Sequence, residues 1–279
     1  MKTTVLFLSF IISFYAGLAQ TDIQYKMLVA QDGSGDYTKI QDAIDATKSF
    51  PDKRITIFIK NGTYCEKVRV PSWNTLLSII GEDVEKTIIV WDDYFKKIDR
   101  GRNSTFFTST LLIEADDFYA ENLTIENSAG EVGQAVALHL EGNRCVFKNC
   151  RILGNQDTVF LDGENSNQFF VDCKIEGTTD FIFGSATAVF SRCKIISRRD
   201  SYITAASTTE SKPFGFVFMN CKLLANEGVQ NVYLGRPWRP FAKTVFINCE
   251  LGKHIRPEGW KEWSNSGNEA TTFYAEHKN

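Results

Sequence analysis

The sequence predicts an all-β fold, a single-stranded right-handed parallel β-helix (a solenoid) with a short N-terminal capping helix. Three features carry that expectation. A unit F-x-x-C-x-[IL] recurs along the chain, its copies lie 20 to 28 residues apart, and no copy contains a long helical period. Repeats of that length built from short β-favouring segments suit one solenoid coil each.

The copies are Phe147-x-x-Cys150-x-Ile152, Phe170-x-x-Cys173-x-Ile175, Phe190-x-x-Cys193-x-Ile195, Phe218-x-x-Cys221-x-Leu223 and Phe246-x-x-Cys249-x-Leu251, after a degenerate Ala120-x-x-Leu123-x-Ile125. Asn, Asp and Gly recur between the strand segments, as turns require. One small apolar residue per coil forms an internal stack, and cysteine serves as a small hydrophobe there. That accounts for five of the seven cysteines; Cys65 and Cys145 remain, with one disulfide left open. A β-sandwich also has many short strands, but its turns should recur about every 8 to 12 residues. The longer cysteine register argues against it. A coil has a fixed perimeter, so the two 28-residue intervals, about 197–216 and 225–244, should carry loops on one face.

Residues 1–19 read as a signal peptide: Lys2, an apolar run from Val5 to Ala16, then Gly17-Leu18-Ala19. The run is shorter than the ~20 apolar residues of a membrane span, so a secreted or periplasmic protein without a membrane anchor is expected. Its removal takes one of the 31 lysine and arginine side chains, leaving 30 basic against 34 acidic side chains and a net charge of −4. No basic face suited to nucleic acid is present. No linker divides residues 20–279, which read as one domain. An open coil exposes core and strand edges, so a cap is needed. Ile40, Ala43, Ile44 and Ala46 within Tyr37–Lys48 suit a short amphipathic helix with Asp36 as N-cap. The aromatic-rich C-terminal stretch (Trp260, Trp263, Phe273, Tyr274) shows no evident closing element.

Asp157 and Asp180 each fall seven residues after a ladder cysteine, and equivalent positions in consecutive coils stack. Coils ~4.8 Å apart would put the two carboxylates within range of each other's charge. Such a pair titrates as a unit, one member raised and able to act as general acid, the other ionised as nucleophile or base. Asp200 also falls seven after Cys193, so register alone cannot separate it from the other two. An Asp in a β-helix turn can equally cap the turn. Gln134 and Gln156 add neutral amide donors suited to an oxyanion, and Arg236 adds a guanidinium able to orient a carboxylate. Together these suffice for acyl transfer without serine or histidine; the three histidines form no evident triad.

The ordered set Gly62-x-Tyr64-x-Glu66, QAVAL (134–138), QDT (156–158), DFIFG (180–184) and LGRPW (234–238) resembles the pectin methylesterase family from about Gln31 to Lys278, as does the opening Asp32-Gly33-Ser34-Gly35-Asp36-Tyr37. The resemblance implies hydrolysis of C6 methyl esters of polygalacturonate. It implies Asp180 as nucleophile, Asp157 as acid and then base, Gln134 and Gln156 as oxyanion donors, and Arg236 as the orienter of Asp180. Substrate contacts would come from Thr105, Phe160 and Trp238, and Asp200 is left with a structural or rim role. It implies pectin as the partner, acted on by a monomer that needs no metal or organic cofactor. Members of the family continue beyond the stretch matching Phe273–Glu276, so a shortened C-terminal cap is expected. Two rivals share the substrate: a polygalacturonase or lyase, and a non-catalytic polysaccharide-binding solenoid. Paired glutamines have no role in an oxocarbenium mechanism, and a Ca²⁺-dependent lyase would want a denser carboxylate cluster.

Overall fold

The computed structural model describes residues 24–279 apart from residue 164; the signal-peptide segment lies outside the described residues. Every strand pairing is parallel, and three sheets of ten, seven and eight strands run the length of the molecule. One coil illustrates the path: Asn167–Val171 in the ten-stranded sheet, Lys174–Gly177 in the eight-stranded sheet, Ile182–Gly184 in the seven-stranded sheet, then Thr187–Ser191 back in the first. This is the expected parallel β-helix.

The repeat has a local cause. The residue before each ladder position adopts left-handed backbone: Asn122, Asn149, Asp172, Arg192, Asn220 and Asn248, with φ between 47 and 57°. That turn swings the chain from the ten-stranded to the eight-stranded sheet, and Asn or Asp tolerates it at small cost. The phenylalanines stack inside at 5.0, 4.9, 4.5 and 4.4 Å from Phe147 through Phe170, Phe190 and Phe218 to Phe246. Each is fully buried and contributes about 1.5–3 kcal/mol of burial. The cysteine thiols add a second ladder. Cys173, Cys193, Cys221 and Cys249 donate to the carbonyls of Phe147, Phe170, Phe190 and Phe218 at 3.3–3.5 Å. A weak donor on a small apolar side chain thus ties each coil to the one before. All seven cysteines are free, with only Cys65 exposed, so no disulfide forms. Burial pushes the Cys145 thiol up to about 12.

The N-terminal cap forms as expected, but its N-cap does not. The helix spans Ile40–Asp45 and buries Ile40, Ala43 and Ile44 against the first coils. Asp36 instead accepts the Leu28 N–H at 2.7 Å. The first-turn amides of Ile40 and Gln41 are satisfied by Glu66, whose two carboxylate oxygens accept them at 3.1 Å each. The G-x-Y-x-E motif is therefore a capping device: Glu66 closes the helix from the next coil, and Tyr64 is buried with its hydroxyl donating to Lys60 O at 3.0 Å. At the other end Phe273–His277 extends the ten-stranded sheet by pairing with Lys243–Ile247, which supplies the closing strand not evident in the sequence.

Candidate active site

The strands Leu138–Leu140, Val159–Leu161, Ile182–Gly184, Tyr202–Ala206 and Tyr233–Gly235 are neighbours in the seven-stranded sheet. Their outer face carries the site. Val159 pairs with Ile182, so Asp157 and Asp180, each two residues earlier, occupy one register position in adjacent coils. Both have left-handed backbone, φ 62° and 49°. The amide of Asp157 donates to Thr179 O at 3.0 Å and that of Asp180 to Tyr202 O at 2.8 Å. Left-handed backbone at Asp180 lets both Phe181 and Ile182 turn into the core, where each is fully buried.

Asp200 does not join this column. Ile182 pairs with Thr204, so the position matching Asp180 is Tyr202. The turn between Ser197 and Tyr202 is two residues longer than that between Gly177 and Asp180, whose flanking strands align Gly177 with Ser197. Counting from the cysteine is therefore two residues out in that coil. Asp200 accepts the amides of Gln230 and Asn231 at 2.7 and 2.9 Å and anchors the loop before Tyr233.

Arg236 follows the strand Tyr233–Gly235, its amide donating to Thr204 O at 2.9 Å. A side chain at Gly235 would run into Thr204 Oγ1, so glycine lets this segment lie close. The Arg236 guanidinium meets Asp180 in a two-point pair, Nε to Oδ1 at 3.0 Å and Nη2 to Oδ2 at 2.6 Å. Its carbon lies 4.0 Å from the Tyr202 ring centroid and 4.1 Å from that of Trp263. Gln134 and Gln156 form a parallel bridge. Both side chains line the cavity.

The cavity measures about 600 Å³, and Gln134, Gln156, Asp157, Asp180 and Arg236 all line it. Thr105, from the 3₁₀ turn Gly101–Phe107, and Trp238 also line it. Phe160 does not. Its ring is 4% exposed, packed under Phe106 at 5.0 Å and stacked on Phe183 at 4.7 Å. It supports the floor and opens onto a neighbouring shallower pocket with His139, Glu141 and Asp162. Other wall residues that the sequence reading did not single out for the site include Phe95, Arg102, Ala205, Arg239 and Trp263, whereas Phe183 comes from the DFIFG stretch.

The two carboxylates differ in environment. Burial pushes Asp157 well above the usual carboxylate range, and the charge of Asp180 pushes it further against a weaker pull from Arg236. Burial raises Asp180 too, opposed by the hydrogen bonds and charge of Arg236. Asp157 has no cation in contact, whereas Asp180 has a two-point partner, so Arg236 favours the ionised form of Asp180 more strongly than that of Asp157. The result is two neighbouring carboxylates in unequal environments, with the side-chain amides of Gln134 and Gln156 lining the same cavity. Among the described residues, no group of three or more His, Cys, Asp or Glu side chains is disposed to hold a metal.

Comparison with known proteins agrees with the geometry. The Pectinesterase family profile matches residues 26–279. Pectinesterase 31 of Arabidopsis thaliana is 39% identical over 258 residues, covering 90% of this chain and 81% of that protein. The chain spans about half of the pectinesterase/pectinesterase inhibitor PPE8B of Prunus persica, 52% of its length at 36% identity. Pectin methylesterase from carrot superposes with a TM-score of 0.85 at 32% identity, over 91% of this chain and 82% of that one. A pectin methylesterase solved in complex with a hexasaccharide superposes with a TM-score of 0.75 at 27% identity, over 88% of each chain. The chain belongs to the pectinesterase family.

Proposed function

We propose that Asp180 is the nucleophile and Asp157 the general acid and base of this pectinesterase, a carboxylic ester hydrolase acting on pectin. The single observation that carries the assignment is the two-point Arg236–Asp180 pair beside a half-buried Asp157 with no cation in contact. An ionised carboxylate held by a guanidinium on one edge keeps an oxygen lone pair free for attack.

In the first step an Asp180 oxygen adds to C6 of a methyl-esterified galacturonate. The negative charge moves to the ester carbonyl oxygen, where the amides of Gln134 and Gln156 can donate to it. The C6–methoxy bond breaks as Asp157 gives its proton to the departing oxygen, releasing methanol and leaving an acyl-enzyme anhydride on Asp180. Asp157, now ionised, takes a proton from water. The hydroxyl adds to C6, the bond to Asp180 breaks, and Asp180 leaves as a carboxylate. The product acid loses its proton to solvent. Thr105 and Trp238 would hold the sugar, with Phe160 supporting the floor beneath Phe106 and Phe183.

Methanol, reducing ends and unsaturated products measured together on highly methylated pectin test this reading. Methanol alone is expected. D180N should lose about 10⁴-fold or more in kcat with the fold intact by circular dichroism, and ordinary turnover by D180N would overturn the nucleophile assignment. We also propose that residues 20–279 act as one catalytic domain, exported behind residues 1–19 and working as a monomer. N-terminal sequencing of the secreted form and sedimentation of the purified protein check both.

A further inference from the structure

The Arg236 guanidinium is held by three side chains. Asp180 takes its edge, and the rings of Tyr202 and Trp263 both lie against it, with centroids 4.0 and 4.1 Å from its carbon. Tyr202 comes from the coil after Asp180. Trp263 comes from the C-terminal segment, which the repeat does not explain. That segment is fastened to the LGRPW stretch. Gly235 pairs with Trp260, the Lys261 amide donates to Gly235 O at 3.1 Å, and the buried Asn268 side chain donates to Pro237 O at 3.0 Å. The two anchors bracket Trp263 and fix its ring against the guanidinium.

A long arginine reaching back from two coils further on has many rotamers, and few of them present two N–H groups to Asp180. Two aromatic rings packed against a planar cation restrict the alternatives and replace hydration that burial takes away. We propose that Trp263, together with Tyr202, is a positioning residue that holds Arg236 edge-on to Asp180, making the C-terminal segment part of the catalytic apparatus. The inference rests on Asp180 being the nucleophile. The charged or titratable groups around that carboxylate are Arg236 in contact, Asp157 in the adjacent coil, Tyr202 and Tyr274, with Arg102 and Arg239 on the cavity wall.

The test is the pH dependence of methanol release by full-length W263L, W263F, Y202L and N268L. With a ring face lost, the guanidinium holds the Asp180 anion less firmly, so the acid limb of kcat moves to higher pH. W263L is expected to lose about 10- to 100-fold in kcat with KM nearly unchanged, the loss of one oriented cationic contact. W263F restores a ring and should recover most of the loss and return the limb. Y202L removes the other ring and reports the same hold should W263L not fold. N268L, whose side chain lies outside the cavity, should shift the limb in the same direction by less. A W263L effect confined to KM would make Trp263 a sugar-binding wall and overturn the proposal, as would equal kcat losses in W263L and W263F with the limb unmoved. D180N assayed alongside keeps the two claims separate: turnover by D180N defeats the nucleophile assignment, whereas a dead D180N with an unmoved W263L limb defeats only the clamp.

Discussion

Asp157 and Asp180 share one register position in adjacent coils and the same left-handed backbone, yet only Asp180 has a cationic partner. Two residues of one type, placed by the same repeat, thereby receive unequal surroundings from a single arginine, and the proposed division into acid and nucleophile rests on that difference.

A bell-shaped pH profile follows for kcat/KM. As the proposed nucleophile Asp180 must be ionised, so activity falls as pH drops through its value, which burial raises against the pull of Arg236. Asp157 must be protonated, so activity falls again as pH rises through its still higher value. R236Q should depress kcat and move the acid limb upward, because the opposing cation is gone. Initial methanol-release rates across pH give both limbs.

The same shift makes Asp157 a destabilising group at higher pH. Its folded-state pKa lies well above the ordinary 3.8, so the native protein binds more protons than the unfolded chain between the two values. Stability contributed by the protonated form is complete below 3.8 and is lost as pH rises through the folded value. D157N should therefore be inactive but more stable than the parent. Its gain in Tm should be absent in acid, should grow as pH rises through this window and should then level off. Thermal melts of both proteins at several pH values check the sign.

Loss of one glutamine should cost rate rather than fold. Q156A removes one amide from the cavity wall, and kcat is expected to fall about 10²- to 10³-fold with Tm nearly unchanged. The same substitution at Gln134 should behave alike. Steady-state kinetics beside a melt separates the two effects.

Glu66 bears on stability and leaves the chemistry alone. E66A strips the acceptor from the amides of Ile40 and Gln41 and should destabilise the N-terminal cap by about 1–2 kcal/mol. Below the melting transition, specific activity is expected to hold. Hydrogen exchange should rise first at residues 40–45.

Thiol accessibility provides a check on the core. Of seven free cysteines only Cys65 is exposed. A small thiol reagent should titrate one group in the native protein and seven after denaturation. Faster reaction of a ladder cysteine under native conditions would show that coils open locally.

The sequence made the repeat legible because the turn before each ladder position needs left-handed backbone, which leaves Asn or Asp there in every coil of the repeat but the one with Arg192. It made the acid pair legible for the same reason. Counting failed at Asp200, where a turn two residues longer hands the site position to Tyr202. It failed at Asp36 because a carboxylate from the next coil, Glu66, satisfies the helix amides, and no local pattern encodes a cap supplied from elsewhere. Trp263 was invisible as a site residue for a related reason. Its place beside Arg236 depends on anchors to Gly235 and Pro237 that lie outside any repeat.

Parallel stacking also restricts which reactions the scaffold can host. The separation of two groups at one register position comes in whole steps of the inter-strand distance, about 4.8 Å. One step is near the ~5–5.5 Å at which a nucleophile and its acid work on a shared centre. The ~6.5–9.5 Å that seats a water between two carboxylates falls between one step and two. A lineage built on this frame can exchange side chains at a rung far more easily than it can stretch the gap. Direct attack by one carboxylate under protonation by its neighbour is the chemistry that a single rung-to-rung step already spaces.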